Sequence, residues 1–273
     1  MSGAVVTLTT DFGTRDPYVA QMKGVLATRA PGVALLDLSH DLPPFAVREA
    51  ALFVRGLPAW FPPGSVHVVV VDPGVGGPRQ ALAVALGGQA FLGPDNGVFH
   101  FLLGVAGVAV RRLPDPPPAA AGDGAPRIPA PTFHGRDLFA PWAAVLVHDP
   151  AAFAALPAPA GPPRLLDLPA PRDIAPTAIA GAIIHVDRFG NCISNIPVEV
   201  LRRRGAHGWH AAGAGWEARD LVASYVEAAP GRPVLVPGSH GFLEIALREA
   251  DAARTLTLQA GDELRLSWEE NHA

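Results

Sequence analysis

Residues 66–71 read VHVVVV, five valines in six positions, and no other stretch limits the fold of this chain as much. A strand that is apolar on both faces must be buried on both, which calls for a sheet covered by helices. Apolar runs at Ala4–Leu8, Val33–Leu38 and Ala81–Leu86 alternate with helical patterns, so the first half predicts an α/β domain around a largely parallel sheet. Within Tyr18–Arg29, the residues Tyr18, Met22, Val25 and Leu26 share one helical face; within Val47–Leu57, Val47, Ala50, Ala51, Val54 and Leu57 do the same. Such stripes normally pack on a sheet. Arg136–Val147 predicts a further buried helix, with Leu138, Phe139, Trp142, Val145 and Leu146 apolar.

Two Pro-rich stretches interrupt this pattern. LPDPPPAAAGDGAPRIPAP, residues 113–131, has no composition for a packed element and predicts a surface loop. Pro157–Pro176 reads as a domain linker, which bounds an α/β domain at residues 1–172 and a second domain at 177–273. From Thr177 onward short strands are punctuated by turns: Ala182–Val186, Cys192–Ile196, Leu221–Tyr225, Val234–Val236, Phe242–Leu247 and Leu264–Trp268. That spacing predicts a small antiparallel barrel or sandwich.

Composition removes several functional classes. A single cysteine, Cys192, excludes an intramolecular disulfide framework and a Cys-based zinc site. The net charge is −4, and neither a basic run nor an Arg/aromatic stripe suggests a nucleic-acid groove. No charged and apolar leader pattern opens the chain, and prolines, glycines or charges break every apolar stretch before the ~18 residues a spanning helix needs. The expectation is a cytoplasmic protein with a small-molecule partner, and neither nucleic acid nor membrane.

The chemistry should lie where strands end in polar residues. Val66–Val71 delivers Asp72, followed by Pro73-Gly74-Val75-Gly76, and Asp11 follows the first strand in the same way. Open α/β sheets bind ligands at the carboxyl ends of their strands. Asp11-Phe12-Gly13 is also the tripeptide by which protein kinases hold magnesium. A kinase places it after a Gly-rich loop, a strand lysine and a catalytic-loop aspartate, and here only ten residues precede it.

Each polar residue alone has an ordinary structural account. Aspartates cap turns and helices; Asp95, in Gly93-Pro94-Asp95-Asn96-Gly97, fits a turn; Asp137 suits a helix N-terminus; His134 fits a packed histidine; Arg79 fits a surface charge. Grouped, Asp72, Arg79 and His134 could activate water, with arginine lowering the pKa of the water and an Asp–His pair orienting it or taking its proton. Metal binding by Asp11, Asp72 and His134 is the competing chemistry, without any HExxH-like or EF-hand spacing to support it.

The stretches TLTTDFGTRDPYVAQMKG, VVVVDPGVGGPR, GPDNGVF, PTFHGRDLFAPWAA, DRFGNCISNI and GSHGFLEIAL, in this order, resemble the S-adenosylmethionine hydroxide adenosyltransferases. These are S-adenosylmethionine hydrolases, related to fluorinase and chlorinase. The resemblance runs from Val6 to Leu247. It implies an α/β N-terminal domain, a small C-terminal β-barrel, and a homotrimer that holds substrate between the N-terminal domain of one subunit and the C-terminal domain of the next. It also implies hydrolysis of S-adenosylmethionine to adenosine and methionine, with no cofactor and no metal.

By the same resemblance Asp72, Arg79 and His134 match the trio that activates water, Asp11 accepts hydrogen bonds from the ribose hydroxyls, and Asp16 lies beside that site. Asp187 binds the methionine amino group, Asn191 the adenine edge, and Phe189 lines the pocket. Ser239 and His240 face the methionine carboxylate, while Glu244 and Tyr225 border the nucleoside. His240 departs from the aromatic or arginine expected there. Fluorinase-like proteins carry hydroxyl residues around the halide where this chain has Asp72, Val75 and Gly135, so hydrolysis is expected over halogenation. A non-catalytic S-adenosylmethionine or adenosine binder, a halogenase and a metal-dependent phosphoesterase are the alternatives.

Overall fold

The computed structural model describes residues 3–119, 130–204 and 207–269. The chain divides into two compact units, Met1–Leu166 and Asp167–Ala273.

The first unit contains β1 (Val5–Thr10), α1 (Tyr18–Arg29), β2 (Ala34–Ser39), α2 (Val47–Arg55), β3 (Val66–Val70), β4 (Ala81–Leu86), β5 (Gln89–Pro94), α3 (His100–Leu103), β6 (Ala109–Arg112), α4 (Ala140–His148) and α5 (Ala152–Ala155). Its sheet runs β2-β1-β3-β5-β4-β6. Strands β1, β2, β3 and β5 pair in parallel, whereas β4 is antiparallel to both β5 and β6. The sheet is therefore mixed, with three parallel pairings of five and β4 alone running against the other strands. Gly87 and Gly88, at φ 60° and 76°, close a two-residue turn between β4 and β5, and so tight a connection can only join antiparallel strands.

Strand β3 is buried on both faces. Val66, Val68 and Val70 pack with Leu8, Met22, Leu26, Phe139 and Trp142, while Val69 and Val71 pack with Val54, Leu82, Phe91 and Leu102 on the other side. The helix expected over Arg136–Val147 begins instead as a π-helical turn, Gly135–Phe139, and becomes α4 at Ala140. Pro141 has no N–H with which to close an α-turn onto residue 137, which favours the wider turn before it.

The expected Pro-rich surface loop falls largely on residues 120–129, outside the described residues. Part of the expected linker is held in place: Ala160 N–H donates to Gln80 Oε1 at 2.7 Å and Arg164 N–H to Asp95 Oδ1 at 2.7 Å.

The second unit contains β7 (Arg172–Ala175), β8 (Ala178–Val186), β9 (Cys192–Pro197), α6 (Glu199–Arg204), β10 (His207–Gly213), β11 (Trp216–Ala218), β12 (Asp220–Leu221), β13 (Val234–Pro237), β14 (Phe242–Ala246), α7 (Ala252–Leu256) and β15 (Glu263–Glu269). The strand path is β11-β10-β15-β8-β9-β14-β13-β12, with β7 added to β8. Strand β12 lies against β10, so the sheet curls into a nearly closed barrel. Ile183, Ile196, Trp209, Leu243, Ile245, Leu266 and Trp268 fill it.

Two expectations fail here. Strand β7 occupies the end of the presumed linker, because residues 172–175 find the open side of β8. The strand expected over Leu221–Tyr225 stops at Leu221, since Glu227 accepts from Ala223 N–H at 3.3 Å and Ser224 Oγ at 3.0 Å and turns the chain into a 3₁₀ segment at Tyr225–Glu227.

Candidate active site

Asp72 stands two residues past β3, and its carboxylate is held by Arg79 from the same loop. Arg79 Nε donates to Asp72 Oδ1 at 3.1 Å and Nη2 donates to Oδ2. The second Nη2 hydrogen points at His134 Nδ1, 2.8 Å away. The Arg79 and Asp72 side chains are 5% and 3% exposed, so this is a buried ion pair with a histidine attached. Phe139, in the π-helical turn, lies 5.7 Å below the guanidinium.

Two glycines make the meeting possible. Gly76 has φ +76°, and a Cβ there would stand 2.9 Å from the carbonyl oxygen of Pro131, so only glycine lets the 72–79 loop approach the segment carrying His134. At Gly135 a Cβ would press on Met22 Sδ at 3.1 Å and on the rings of Phe133 and Phe12.

Arginine does not surrender its protons, so His134 Nδ1 must be the acceptor. The ring is then neutral, with its hydrogen on Nε2. Burial first and the Arg79 charge second hold the His134 pKa below the ordinary histidine value, which agrees with that form. A guanidinium engages both Asp72 oxygens and His134 Nδ1. Among the described residues no three His, Cys, Asp or Glu side chains group as metal ligands.

Strands β1 and β3 are neighbours, with Thr10 opposite Val70, so Asp11 and Asp72 leave adjacent parallel strand ends. Asp11 Oδ2 accepts the N–H of Phe45 at 2.8 Å. Phe12, Tyr18 and Phe133 form an edge-on aromatic trio with centroids 5.3 to 5.9 Å apart. Asp16 is exposed in the turn before α1. Asp137 accepts Ala130 N–H at 2.8 Å and pairs with Arg136, so it staples its own loop. Asp95 lies in the bend after β5, but its carboxylate accepts Arg164 N–H from the linker, and it is Asn96 whose side chain accepts Val98 N–H within the turn.

In the second unit Asp187 closes the turn between β8 and β9. Its Oδ1 accepts the N–H groups of Phe189 and Asn191 at 2.8 and 2.9 Å, and its Oδ2 accepts Asn191 Nδ2 at 2.9 Å. Phe189 is exposed at the tip of that turn. Nearby on β14, Glu244 is 1% exposed and accepts the Tyr225 hydroxyl at 2.7 Å, with His240 Nδ1 at 3.4 Å. Burial first and Glu244 second push the Tyr225 pKa up, keeping its phenol a donor. A Cβ at Gly238 would come within 2.1 Å of Glu244 Oε1, so glycine is required for the carboxylate to sit there. Ser239 and His240 are exposed on the turn between β13 and β14. The structure thus gathers Asp72, Arg79 and His134 into one group and Tyr225, His240 and Glu244 into another. Sequence reasoning passed over Thr10, His40 and Phe45, which hold the Asp11 turn; the only visible signal was SHDLPPF directly after a strand.

An α/β unit whose central strand ends in a buried Asp–Arg–His group, joined in one chain to a barrel-like unit with its own buried carboxylate, has the makeup of a two-domain enzyme. Family models agree: the SAM hydroxide adenosyltransferase N-terminal domain matches residues 6–155 and the C-terminal domain matches residues 181–265. The chain belongs to the SAM hydroxide adenosyltransferase family. It is 40% identical to a protein of Thermus thermophilus named (R)-S-adenosyl-L-methionine hydrolase, over 94% of this chain and 96% of that one. A Salinispora arenicola protein of the same name is 34% identical over 96% and 97% of the two chains. A fluorinase of an Actinoplanes species is more distant, at 24% over 94% and 95%. Among solved structures, an uncharacterized conserved protein from Thermotoga maritima superposes with a TM-score of 0.83 at 30% identity, covering 96% of this chain and all of that one.

Proposed function

We propose that the protein hydrolyses S-adenosyl-L-methionine to adenosine and L-methionine by attack of a water-derived hydroxide at C5′ of the ribose. The observation that carries this reading is the position of Arg79, buried between Asp72 and His134 Nδ1, in a chain that matches hydrolases of that name over nearly its whole length. The new bond joins the water oxygen to C5′ as the C5′–sulfur bond breaks, and the electron pair of that bond neutralises the sulfonium. Methionine leaves uncharged at sulfur, so no general acid is needed. The water's proton passes to solvent.

In this reading the burden falls on the nucleophile. Arg79 supplies fixed positive charge that favours hydroxide over water, and Asp72 holds the guanidinium in place. The neutral His134 ring contributes its Nε2–H as a donor that orients the oxygen in line with C5′. Protonating Nδ1 would set an N–H against the guanidinium, so the geometry favours His134 as a donor over a role as proton acceptor. Asp72, Val75 and Gly135 offer no hydroxyl with which to hold a halide.

The substrate contacts follow the family pattern. Asp11 takes the ribose hydroxyls with Asp16 beside it; Asp187 takes the methionine ammonium on the acceptor capacity its oxygens retain beyond the turn; Asn191 reads the adenine edge and Phe189 covers it. Ser239 and His240 face the carboxylate, and Tyr225 and Glu244 border the nucleoside. The assembly proposed is a homotrimer with each substrate held between the first unit of one subunit and the second unit of the next, without cofactor or metal.

Chromatography of S-adenosylmethionine incubated with the protein and a chelator should show adenosine and methionine in equal amounts. Tight binding without product would contradict hydrolysis, and 5′-halo-5′-deoxyadenosine formed in chloride or fluoride would replace it with halogenation.

A further inference from the structure

The turn that carries Asp11 is held from beneath by a histidine that has no part in the chemistry above. Thr10, wholly buried, is the last residue of β1. Phe12 N–H donates to Thr10 Oγ1 at 3.2 Å, and that oxygen lies 2.8 Å from His40 Nδ1. The His40 carbonyl in turn accepts Gly13 N–H at 2.8 Å. His40 therefore grips the Asp11-Phe12-Gly13 turn twice, once through its ring and once through its main chain. Behind the ring, Nε2 stands 3.1 Å from Asp37 Oδ1, and the other oxygen of Asp37 accepts Lys23 Nζ of α1.

This meeting depends on an irregularity in the sheet. Leu8 pairs with Asp37 but Thr9 pairs with Ser39, so the β1–β2 register slips by one residue at the strand ends. Without the slip Thr10 would stand opposite Ser39 rather than beside His40. Bulges of this kind re-aim side chains next to functional sites. From the far side, Phe45 donates its N–H to Asp11 Oδ2 while held at φ +67°, a conformation that a bulky residue adopts only when its surroundings impose it.

We infer that His40 is a positioning residue for Asp11: its buried ring holds Thr10 and its main-chain carbonyl holds Gly13, so that the Asp11 carboxylate is fixed before substrate arrives. The inference rests on the hydrolase reading, in which Asp11 takes the ribose. It is a statement about binding, since His40 reaches neither Arg79 nor His134 through these contacts.

The test places Thr10→Val, His40→Leu and His40→Asn in the native chain and in Asp11→Ala, and measures steady-state turnover of S-adenosylmethionine together with calorimetric binding of adenosine. Thr10→Val and His40→Leu should each raise KM and the adenosine Kd about ten-fold, the loss falling on KM rather than kcat. His40→Asn should recover most of that loss, because its amide can reach the place of Nδ1. In Asp11→Ala neither Thr10→Val nor His40→Leu should weaken binding further, because the residue through which they act is gone.

A further ten-fold loss in Asp11→Ala, or equal falls in kcat and affinity, would overturn the inference. Thr10→Val is nearly isosteric and tests the turn even if His40→Leu folds poorly; because it also removes the acceptor of Phe12 N–H, near-native binding in His40→Asn is what assigns the effect to the ring, and a His40→Asn loss as large as that of Thr10→Val would overturn it. A native chain that neither binds adenosine nor turns over S-adenosylmethionine would overturn the hydrolase reading and this inference with it. An active native chain with additive losses would overturn this inference alone.

Discussion

Burying a guanidinium costs several kcal/mol, and Arg79 recovers that only because Asp72 meets it with two parallel contacts. Lysine keeps the charge but cannot span Asp72 and His134 together. Arg79→Lys should therefore lower kcat by about 10²- to 10³-fold while adenosine binding, measured by calorimetry, stays close to native. Asp72→Asn leaves the cation uncompensated and should cost about 3 kcal/mol of stability in denaturant unfolding. His134 adds a pH signature. Its pKa is lowered, so it stays neutral until the pH drops below the ordinary histidine range, and protonation then sets Nδ1–H against Arg79. The acid limb of kcat/KM, which reports the free enzyme, should accordingly fall below the unperturbed value of 6.5, as a pH–rate profile would show. These three residues were legible because each interrupts apolar context at a strand end or turn. Thr10 and His40 were not, because what joins them is a one-residue slip in register that leaves no mark in the sequence.

The valines of strand β3 announce burial on both faces, and they fall in two separate core clusters. The same strand contains His67, whose role the valine pattern hid. Thr7 Oγ1 lies 2.8 Å from its Nδ1 and Gln89 Oε1 lies 3.0 Å from its Nε2, while Phe91 stacks on the ring at 4.5 Å. Burial brings the His67 pKa down from 6.5 to about 4. An unfolded chain takes up this proton near 6.5 and the native one only near 4, so stability is full above the first value and drains away as the pH falls toward the second. The loss amounts to roughly 3 kcal/mol, and denaturant midpoints across that window should fall more steeply for the native chain than for His67→Gln. The β4–β5 pair shows where periodicity misleads: apolar runs look alike whichever way they point, and Gly87-Gly88 was the signal for a hairpin. Gly76→Ala should separate Arg79 from His134 by forcing the loop off Pro131, costing about 1–3 kcal/mol in thermal melts and most of the turnover.

Across the whole chain, the proposed substrate contacts are shared out between two units. Asp11, Asp72, Arg79 and His134 belong to the first, and Asp187, Asn191, Tyr225 and Glu244 to the second. Light scattering should return a particle three times the 28.4 kDa of one chain; a monomer would contradict the proposed shared site. The change of texture near Thr177 made the barrel-like half legible, although the Ala- and Gly-rich strand β10 has no β-branched residue to mark it and the short β7 has only Ile174. In the proposed reaction water, activated beside Arg79, attacks C5′. Turnover of S-adenosylmethionine in isotopically heavy water, followed by mass spectrometry of both products, tests it directly. Attack by water puts one heavy oxygen in adenosine, at C5′, and none in methionine; unlabelled adenosine, or label in methionine, would contradict it.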